Sequence, residues 1–324
     1  MKKIIYIVSD VRSGSSMLDN MISNHPEAST VGELHQLYTH IHYPNTMPWG
    51  DMCTCQEHLT ECHVWRKVFN NYQKQYGVRY DELDARVPLK YRSIFYHMLM
   101  ILAFFTPIKK IRAKLLCKLY RQKEIKAVGK TCYKLFRIFM TVNNVEIVID
   151  SSKTTRNLHA LILAKPDDIE LKVIHIIRDG RAVLFSKIKR LNEKSQRMGT
   201  VIKIASPKLV LSWAYANLQI KMYETLTGSS NFITIKYEDL INETENILLK
   251  ISEISEISYN EKMIKLSGQD KHNIGGTPHR FTWHEGTKIT SDDRWKTALS
   301  KKNKFIYCIF GAIFHKLLGE SSTK

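Results

Sequence analysis

A short stretch near the amino terminus combines residues that can bind an anion. The apolar run at residues 3–8 is followed by small and polar residues, among them Arg12, Ser15 and Ser16. Where a buried strand turns into a helix, free backbone N–H groups and the positive end of the helix lie around one point. Arg12 can add a bidentate charge there, and the two hydroxyls can add hydrogen bonds. The stretch therefore predicts an anion site.

This stretch differs from the phosphate loop of nucleotide triphosphatases. The pattern G-x-x-x-x-G-K-[ST] is absent, so the lysine that grips the phosphates and the hydroxyl that binds Mg²⁺ are missing at the required spacing. An ordinary strand-to-helix turn with a serine cap is the alternative interpretation of these residues.

A second candidate anion site follows the apolar run at residues 171–177. Arg178 comes directly after this run, and Ser186 lies about two helical turns into the next predicted helix. Open α/β sheets bind ligands at the carboxyl ends of their strands. Two anion sites at two strand ends predict a ligand with two separated anionic groups. The alternative is that Arg178 pairs with its neighbour Asp179 on the surface.

The elements that must position these residues alternate along the chain. Each of four β-branched runs is nearly continuously apolar, as expected for strands covered on both faces. Helix-length segments separate the runs, and this alternation predicts a parallel α/β sheet. The predicted strands are 3–8, 146–149, 171–177 and 231–235, and the predicted helices are 17–24, 154–164, 181–192 and 208–227.

Two longer segments complete this organisation. Residues 40–143 read as a mostly helical insertion between the first two strands, and residues 305–318 are expected to form a terminal helix that packs on the sheet. The sequence contains no internal repeat, low-complexity tract or Pro/Gly/Ser linker. We therefore expect one domain over residues 1–324, with a helical insertion.

Composition limits the class of protein. The 324 residues include 49 Lys and Arg against 31 Asp and Glu, for a net charge of +18, which favours anionic partners without choosing among nucleic acid, acidic lipid and phosphorylated or sulfated small molecules. A hydrophobic content of 44% excludes global disorder, and six cysteines are too few for a disulfide scaffold. The apolar runs are too short for a signal peptide or a membrane span, so we expect a cytoplasmic protein.

Taken together, the two anion motifs resemble the sulfotransferase family that uses 3′-phosphoadenosine-5′-phosphosulfate (PAPS). In that family the first loop grips the 5′-phosphosulfate, and an arginine and a serine eight residues apart grip the 3′-phosphate. The Arg-Ser-Gly-Ser-Ser version at residues 12–16 is similar to the carbohydrate and tyrosyl-protein branch and to many bacterial members. The cytosolic small-molecule branch carries lysine at the position of Arg12.

Three further segments resemble bacterial members of this family. They are residues 150–153 (DSSK), residues 275–281 (GGTPHRF) with the following 293–295 (DRW), and the cysteine-containing residues 53–65. The resemblance extends over residues 3–300 and implies a P-loop-type, three-layer α/β/α fold with a central parallel sheet. It also implies that PAPS is the donor.

Sulfuryl transfer needs a base for the acceptor, stabilisation of charge on the leaving oxygen, and a donor held in line. Family members place a catalytic glutamate just past the first helix, where this chain has Glu33; His35 is the alternative base. Lys153 and Arg12 are the candidates for stabilising the leaving oxygen and the sulfonyl group. For both Glu33 and Lys153, a solvated charge without a catalytic role is the alternative.

The resemblance also implies a set of donor-binding residues. Arg280 follows the Gly275-Gly276 turn, which suits a lid closing on the nucleotide, and in the bacterial subfamily this stretch completes the 3′-phosphate site. No metal is required, because arginine, lysine and backbone amides can cover the charge that Mg²⁺ handles in kinases. The implied donor-binding residues are Arg12, Ser13, Gly14, Ser15, Ser16, Met17, Arg178, Ser186 and Arg280.

Two segments have ambiguous chemistry. Cys53, Cys55, Cys62 and His63 do not have a standard zinc spacing and would all lie in one loop, so a buried or redox-variable hairpin is favoured over structural zinc. The apolar and then basic residues 94–121 are expected to form a core helix with a solvated basic face. Peripheral contact with an anionic membrane, on its inner face, is the alternative.

The sequence thus predicts a PAPS-dependent sulfotransferase acting on a hydroxyl or amine, with a carbohydrate, glycolipid or other small molecule as acceptor. A nucleotide-dependent kinase on the same fold is one alternative, but it requires the missing Walker lysine. A basic nucleic-acid-binding protein is the other. Nucleic acid is not expected as a partner, since no recognised RNA or DNA module and no basic patch interleaved with aromatic residues is present.

Overall fold

The computed structural model describes residues 1–44, 51–87, 111, 114, 122–199, 206–268 and 271–317. In these residues five parallel strands form one sheet with the order β2-β3-β1-β4-β5. The strands are β1 (Lys2–Val8), β2 (Ala28–Gly32), β3 (Ile147–Lys153), β4 (Ile169–Ile177) and β5 (Phe232–Lys236).

Helices cover both sides of the sheet, which confirms the predicted α/β fold. Those that bear on the argument below are α1 (Ser15–Ile22), α2 (Leu37–His42), α3 (His63–Tyr76), α4 (Gln122–Asn143), α5 (Thr155–Ala164), α6 (Gly180–Met198), α7 (Ser206–Thr227), α8 (Tyr237–Asn242), α9 (Thr244–Ser255), α10 (Trp295–Ala298) and α11 (Lys301–Leu317).

The central strand β1 shows why the strands are continuously apolar. Ile4, Tyr6 and Val8 face a core that α3, α4 and α7 also line, whereas Ile5 and Ile7 face a core lined by α1, α8 and α9. Successive side chains of a strand point to opposite faces, so a strand covered on both sides needs apolar residues at every position. All five of these side chains are fully buried.

The four predicted strands are observed, and β2 is an addition. The sequence of β2, ASTVG, has no continuous apolar run, so its residues carry no strand signal of their own. The strand exists because it pairs with β3, from Ala28 opposite Ile147 to Gly32 opposite Asp150. Its carboxyl end delivers Glu33 to the same edge of the sheet as the ends of β1 and β3.

The connections of the sheet create a crevice at its carboxyl edge. The chain leaves β1 towards β2 on one side and leaves β4 towards β5 on the other, although β1 and β4 are neighbours. Such a switch point is where open parallel sheets bind ligands. The two predicted anion motifs follow these two strands.

The carboxy-terminal helix corrects one expectation. Instead of packing on the sheet, α11 packs on α6 and α7, and the ring of its Tyr307 lies 5.8 Å from that of Trp213. Residues 94–121, for which the sequence predicts a core helix with membrane contact as the alternative, lie outside the described residues apart from Ile111 and Lys114. Within the described part of the chain, no helix combines the length and the apolar character that a bilayer crossing demands.

Candidate active site

The turn between β1 and α1 exposes the N–H groups that an anion needs. Gly14 precedes the helix in a left-handed conformation (φ +87°), and its carbonyl accepts hydrogen bonds from the N–H groups of Met17 and Leu18. Glycine has no side chain with which to cap the first helical N–H groups, so these remain available to a ligand. Ser13 and Ser15 are buried beside the turn, and Ser16 is partly exposed.

Gly14 is required for steric reasons as well. A Cβ atom at this position would lie 2.3 Å from a ring carbon of Tyr237, and the left-handed backbone disfavours any side chain. Gly77 is a matched position, since its φ of +68° is also left-handed, but a Cβ atom there would meet no other part of the chain within 4 Å.

We expect Gly14→Ala to destabilise the protein more than Gly77→Ala does. The Gly77 variant carries only the cost of the left-handed backbone, about 1–2 kcal/mol. The Gly14 variant adds an overpacking cost of roughly 1–3 kcal/mol and displaces the loop. Urea unfolding monitored by circular dichroism measures both changes. Equal losses in the two variants would show that Tyr237 does not constrain the turn.

The second strand end contacts the first loop directly. The Nη1 atom of Arg178 donates to the carbonyl oxygen of Arg12 over 3.1 Å, and its Nη2 donates to the carbonyl of Asp292 over 3.3 Å. The Nε atom of Arg12 donates in turn to the Oγ atom of Ser186 over 2.7 Å. The structure thus brings together Arg12, Arg178 and Ser186.

The surface pairing considered for Arg178 is wrong. Asp179 bonds Arg181 instead, with a shortest distance of 2.6 Å, and its carboxylate also caps α6 by accepting from the Arg181 N–H. The guanidinium of Arg178 lies over the ring of Tyr237 at 4.5 Å, and the residue is nearly buried. Arg178 is therefore directed into the crevice between the two loops.

This end of the site concentrates positive charge. Partial burial lowers the pKa of Arg12, and the neighbouring cations Arg190 and Arg178 lower it further. The carboxylates of Glu193 and Asp292 oppose this shift. Like charges held this close disfavour each other until an anion offsets them. The arrangement therefore favours binding of a multiply charged anion near Ser186.

The other end of the site contains a buried ion pair. Glu33 follows β2 and is only 5% exposed, and its carboxylate pairs with the ammonium of Lys153 at the end of β3. The side-chain amide of Gln36 donates to the second carboxylate oxygen. The alternatives in which Glu33 and Lys153 are solvated charges are therefore wrong.

The electrostatics keep Glu33 ionised. Burial is the largest single effect and would raise the pKa of Glu33, but the charge and hydrogen bond of Lys153, together with His35 and Arg280, hold the pKa below its usual value. Lys153 adopts a left-handed backbone conformation (φ +67°), which is uncommon for a residue with a side chain. Strained residues of this kind cluster at functional sites.

His35, the alternative base, lies beside this pair. Burial lowers the pKa of its imidazole to about 4, although the negative charge of Glu33 opposes the shift. The ring is therefore neutral at physiological pH. Its backbone N–H donates to the Oγ atom of Ser152 over 3.1 Å, so the DSSK segment at residues 150–153 supports the glutamate loop.

Two buried carboxyl groups behind the pair have raised pKa values. Burial raises the pKa of Asp150 to about 7, and the negative charges of Asp19 and Glu33 add to this effect. Burial also raises the pKa of Asp19 to about 6, and the Oγ atom of Ser151 donates to it over 3.0 Å. Sequence reasoning misses Asp19, because a single acidic residue within a predicted helix carries no signal.

A distant segment covers the glutamate. The N–H of Glu33 donates to the carbonyl of Ile274 over 2.7 Å, and the N–H of Ile274 donates to the carbonyl of Val31 over 3.0 Å. A Cβ atom on Gly275 would lie 3.0 Å from the Cβ atom of Glu33, and one on Gly276 would lie 3.4 Å from the Oγ atom of Ser16. The two glycines let this segment approach both the glutamate and the first loop.

Arg280 lies at this end of the site, near Gly276 and Glu33. The residue is 1% exposed, and its Nη1 atom would lie 3.7 Å from a Cβ atom placed on Gly276, next to Ser16. Burial lowers the pKa of Arg280 to about 10, against the opposing charges of Cys53 and Glu33. Its expected role at a 3′-phosphate group stays a prediction, and the contacts place it beside Ser16.

The fold and these contacts describe a P-loop-type α/β protein with Arg12 and Arg178 brought together at the switch point of its sheet. A family model described as "Sulfotransferase family" matches residues 5–261, which is most of the chain. The chain therefore belongs to the sulfotransferase family. No curated protein matches it significantly.

Solved structures of bacterial sulfotransferases are similar to the chain. The sulfotransferase domain from the olefin synthase of Synechococcus PCC 7002 is 17% identical, with a TM-score of 0.49, and the match covers 95% of this chain and 94% of that one. The sulfotransferase domain from the curacin biosynthetic pathway is 15% identical, with a TM-score of 0.48, over 95% and 97% of the two chains. A Mycobacterium tuberculosis H37Rv sulfotransferase is 14% identical, with a TM-score of 0.43, over 81% and 70%.

Proposed function

We propose that this protein transfers a sulfuryl group from PAPS to a hydroxyl or amine of a carbohydrate, glycolipid or other small acceptor. Membership of the sulfotransferase family supports sulfuryl transfer in general. The observation that carries the proposal further is the division of the site into two ends, an arginine-rich end at Arg178 and Ser186 and an end with the Glu33–Lys153 pair. PAPS has two separated anionic groups that match such a site.

In this proposal the arginine-rich end binds the 3′-phosphate of the donor. Arg178, Ser186 and Arg12 supply the donors, since the three are linked by hydrogen bonds. We assign Arg12 to this group in place of the sulfonyl group because its side chain is directed to Ser186. Charge-assisted pairs of this type are short and bidentate, which suits phosphate.

The 5′-phosphosulfate binds at the other end. The N–H groups at the start of α1, with Ser15 and Ser16, cradle it, and we assign Arg280 to this group because it lies beside Ser16. The remaining loop residues Ser13, Gly14 and Met17 hold the turn in the geometry that binding needs. Preorganised donors of this kind stabilise charge that develops during reaction.

The chemical step uses the Glu33–Lys153 pair. Glu33 takes the proton of the acceptor hydroxyl or amine while the acceptor atom forms a bond to sulfur. The bond between sulfur and the bridging oxygen breaks, and adenosine 3′,5′-bisphosphate leaves with the electron pair. Lys153 moves from the carboxylate to this bridging oxygen and offsets its charge, so donor binding frees the base for the acceptor.

The donor assignment is tested by ligand-induced stabilisation. Adenosine 3′,5′-bisphosphate at micromolar concentration is expected to raise the melting temperature without Mg²⁺, and ATP is not expected to match it. A ligand that binds only the folded state stabilises it by about 2.7 kcal/mol at a hundredfold excess over Kd. Differential scanning fluorimetry measures the shift. Equal shifts from ATP with Mg²⁺ would favour a kinase instead.

The acceptor is identified by transfer of label. Incubation with PAPS carrying radioactive sulfur, against pooled glycans, lipids and phenols, is expected to label a glycan or glycolipid pool. Label in the phenol pool alone would contradict the acceptor class while leaving sulfuryl transfer intact.

A further inference from the structure

Three cysteines and one histidine form a cluster outside the residues discussed for catalysis. One ligand atom from each of Cys53, Cys55, Cys62 and His272 can be chosen so that all four lie within 4.8 Å of one another. The Nδ1 atom of His272 lies 3.2 Å from the Sγ atom of Cys62 and 3.9 Å from that of Cys53. The fourth member is thus not His63, which the sequence places next to Cys62, but a residue about 210 positions further along the chain.

The loop that carries the cysteines is closed by its own backbone. The N–H of Cys53 donates to the carbonyl of Glu57, and the N–H of Gln56 donates back to the carbonyl of Cys53, each over 2.9 Å. Gln56 is left-handed (φ +69°), which permits so tight a turn. Cys62 directly precedes α3, where the positive end of the helix favours a thiolate over a thiol.

The imidazole of His272 is held with Nδ1 towards the sulfur atoms. The indole N–H of Trp65 donates to the carbonyl of His272 over 2.6 Å, and the ring of His63 meets the ring of His272 edge-on at 4.6 Å. Cys53 and Cys62 are buried, whereas Cys55 is partly exposed. The cluster therefore has an enclosed interior and one open side through which an ion can enter.

We propose that Cys53, Cys55, Cys62 and His272 bind one zinc ion in a structural site. Three sulfur ligands and one imidazole form a closed tetrahedral set of the type found in structural zinc sites. With Zn–S distances of about 2.3 Å and Zn–N of about 2.0 Å, tetrahedral ligand atoms are roughly 3.5–3.8 Å apart. The spacings observed at His272 bracket this range. From the sequence we expect a hairpin without metal, because only ligands within one loop are considered there. His272 lies far from that loop in the chain and so is not included.

Charge and position give the ion a structural role. Zinc with three thiolates carries a net charge of −1, and the buried guanidinium of Arg280 lies close to Cys53 and donates to the carbonyl of Met52 over 2.8 Å. The ion would join the loop at residues 51–62 to the segment at residues 271–276, which covers Glu33. All four positions around the zinc are filled by protein, so it has no open site for a substrate.

The experiment measures the metal content of the full-length protein after purification without chelators. Inductively coupled plasma mass spectrometry is expected to find one zinc ion per chain. His272→Ala and Cys62→Ser are expected to reduce this at least tenfold. His63→Ala is the matched control, since it removes an imidazole in contact with His272 but not a ligand, and Cys132→Ser controls for loss of a buried thiol elsewhere. Both controls are expected to retain the full zinc content.

A variant that fails to fold also loses zinc, so the wild-type protein supplies a second measurement. Cobalt added to the metal-free chain is expected to give the visible absorption of a tetrahedral thiolate site, and zinc is expected to abolish it. The proposal would be overturned if the wild-type protein contained no zinc, gave no cobalt absorption and had two free thiols fewer than its six cysteines. Such a result would establish a disulfide in place of a metal site. Full zinc content in His272→Ala, or its loss in His63→Ala, would overturn the ligand set. None of these readouts depends on the acceptor or the donor.

Discussion

Replacing Glu33 by glutamine is expected to lower turnover by about 10²- to 10⁴-fold while leaving adenosine 3′,5′-bisphosphate binding nearly intact. This is the usual contribution of a positioned general base. Glutamine keeps the size of the side chain and its hydrogen bond to Gln36, but it cannot take a proton at neutral pH. The base acts on the acceptor, so the grip on the donor product does not depend on it. Single-turnover kinetics and calorimetric titration measure the two quantities.

Two controls separate this role from a structural one. Glu170→Gln removes a carboxylate at the opposite end of the strands, where its Oε2 atom lies 3.0 Å from the Nζ atom of Lys3. This variant is expected to leave turnover unchanged. His35→Asn tests the alternative base directly. The pH profile of kcat/KM for the donor, which reports on the donor-free enzyme, does not distinguish the two, because burial lowers the pKa of His35 to about 4 and Lys153 there helps to keep that of Glu33 below its usual value. For either base, activity is expected to be level at neutral pH and to fall at acidic pH, because protonation there inactivates the base. A Glu33→Gln enzyme with more than a tenth of wild-type turnover, with chemistry rate-limiting, would move the role to His35 or to another residue.

Arg178→Ala is expected to weaken binding of adenosine 3′,5′-bisphosphate by about 10- to 150-fold, because a lost charge-assisted hydrogen bond costs roughly 1.5–3 kcal/mol. Binding of adenosine 5′-phosphate is expected to weaken less, since this ligand has no 3′-phosphate. Some loss remains for the monophosphate, because Arg178 also holds the carbonyl of Arg12 in the first loop. Isothermal titration of the two nucleotides gives the two ratios.

Arg181→Ala is the matched control for this change. It removes the same charge three residues away, but its guanidinium pairs with Asp179 and lies over the ring of Trp295 at 4.6 Å. The variant is expected to bind both nucleotides nearly as the wild type does. Equal losses of both nucleotides in Arg178→Ala would show that the arginine-rich end does not bind the 3′-phosphate.

The sheet could be predicted from the sequence wherever a strand is covered on both faces. β1 and β4 are buried at nearly every position and consist mostly of apolar residues, and β3 begins with the apolar residues of 147–149 before its polar end. β2 could not be predicted in this way, because it owes its extended form to pairing with β3. Propensity in strands depends on such neighbours more than on the residues themselves.

The candidate site divides in the same way. Arg12, Arg178 and Lys153 could be identified because each follows or ends a strand in a readable motif. The segment at Ile274 that covers Glu33 and the position of Arg280 could not be predicted from the sequence, since they depend on contacts between residues about 240 positions apart. A similar separation concealed His272, whose imidazole meets cysteines far from it in the chain. Local sequence patterns predict which residues lie at the end of a strand. They do not predict which distant segments pack against those residues in the folded chain.

The pairing of Ile274 with β2 also has a consequence for the order of events during synthesis. The strand that delivers Glu33 leaves the ribosome about 240 residues before the segment that covers it. Gly32 is left-handed, and a Cβ atom there would meet the Ile274 carbonyl at 2.3 Å, so the two segments can pair directly only because residue 32 has no side chain. Closing a loop of this length requires all the intervening residues to be in place. A nascent chain therefore carries the Glu33 carboxylate without this cover, and the site is completed only after the covering segment has been translated.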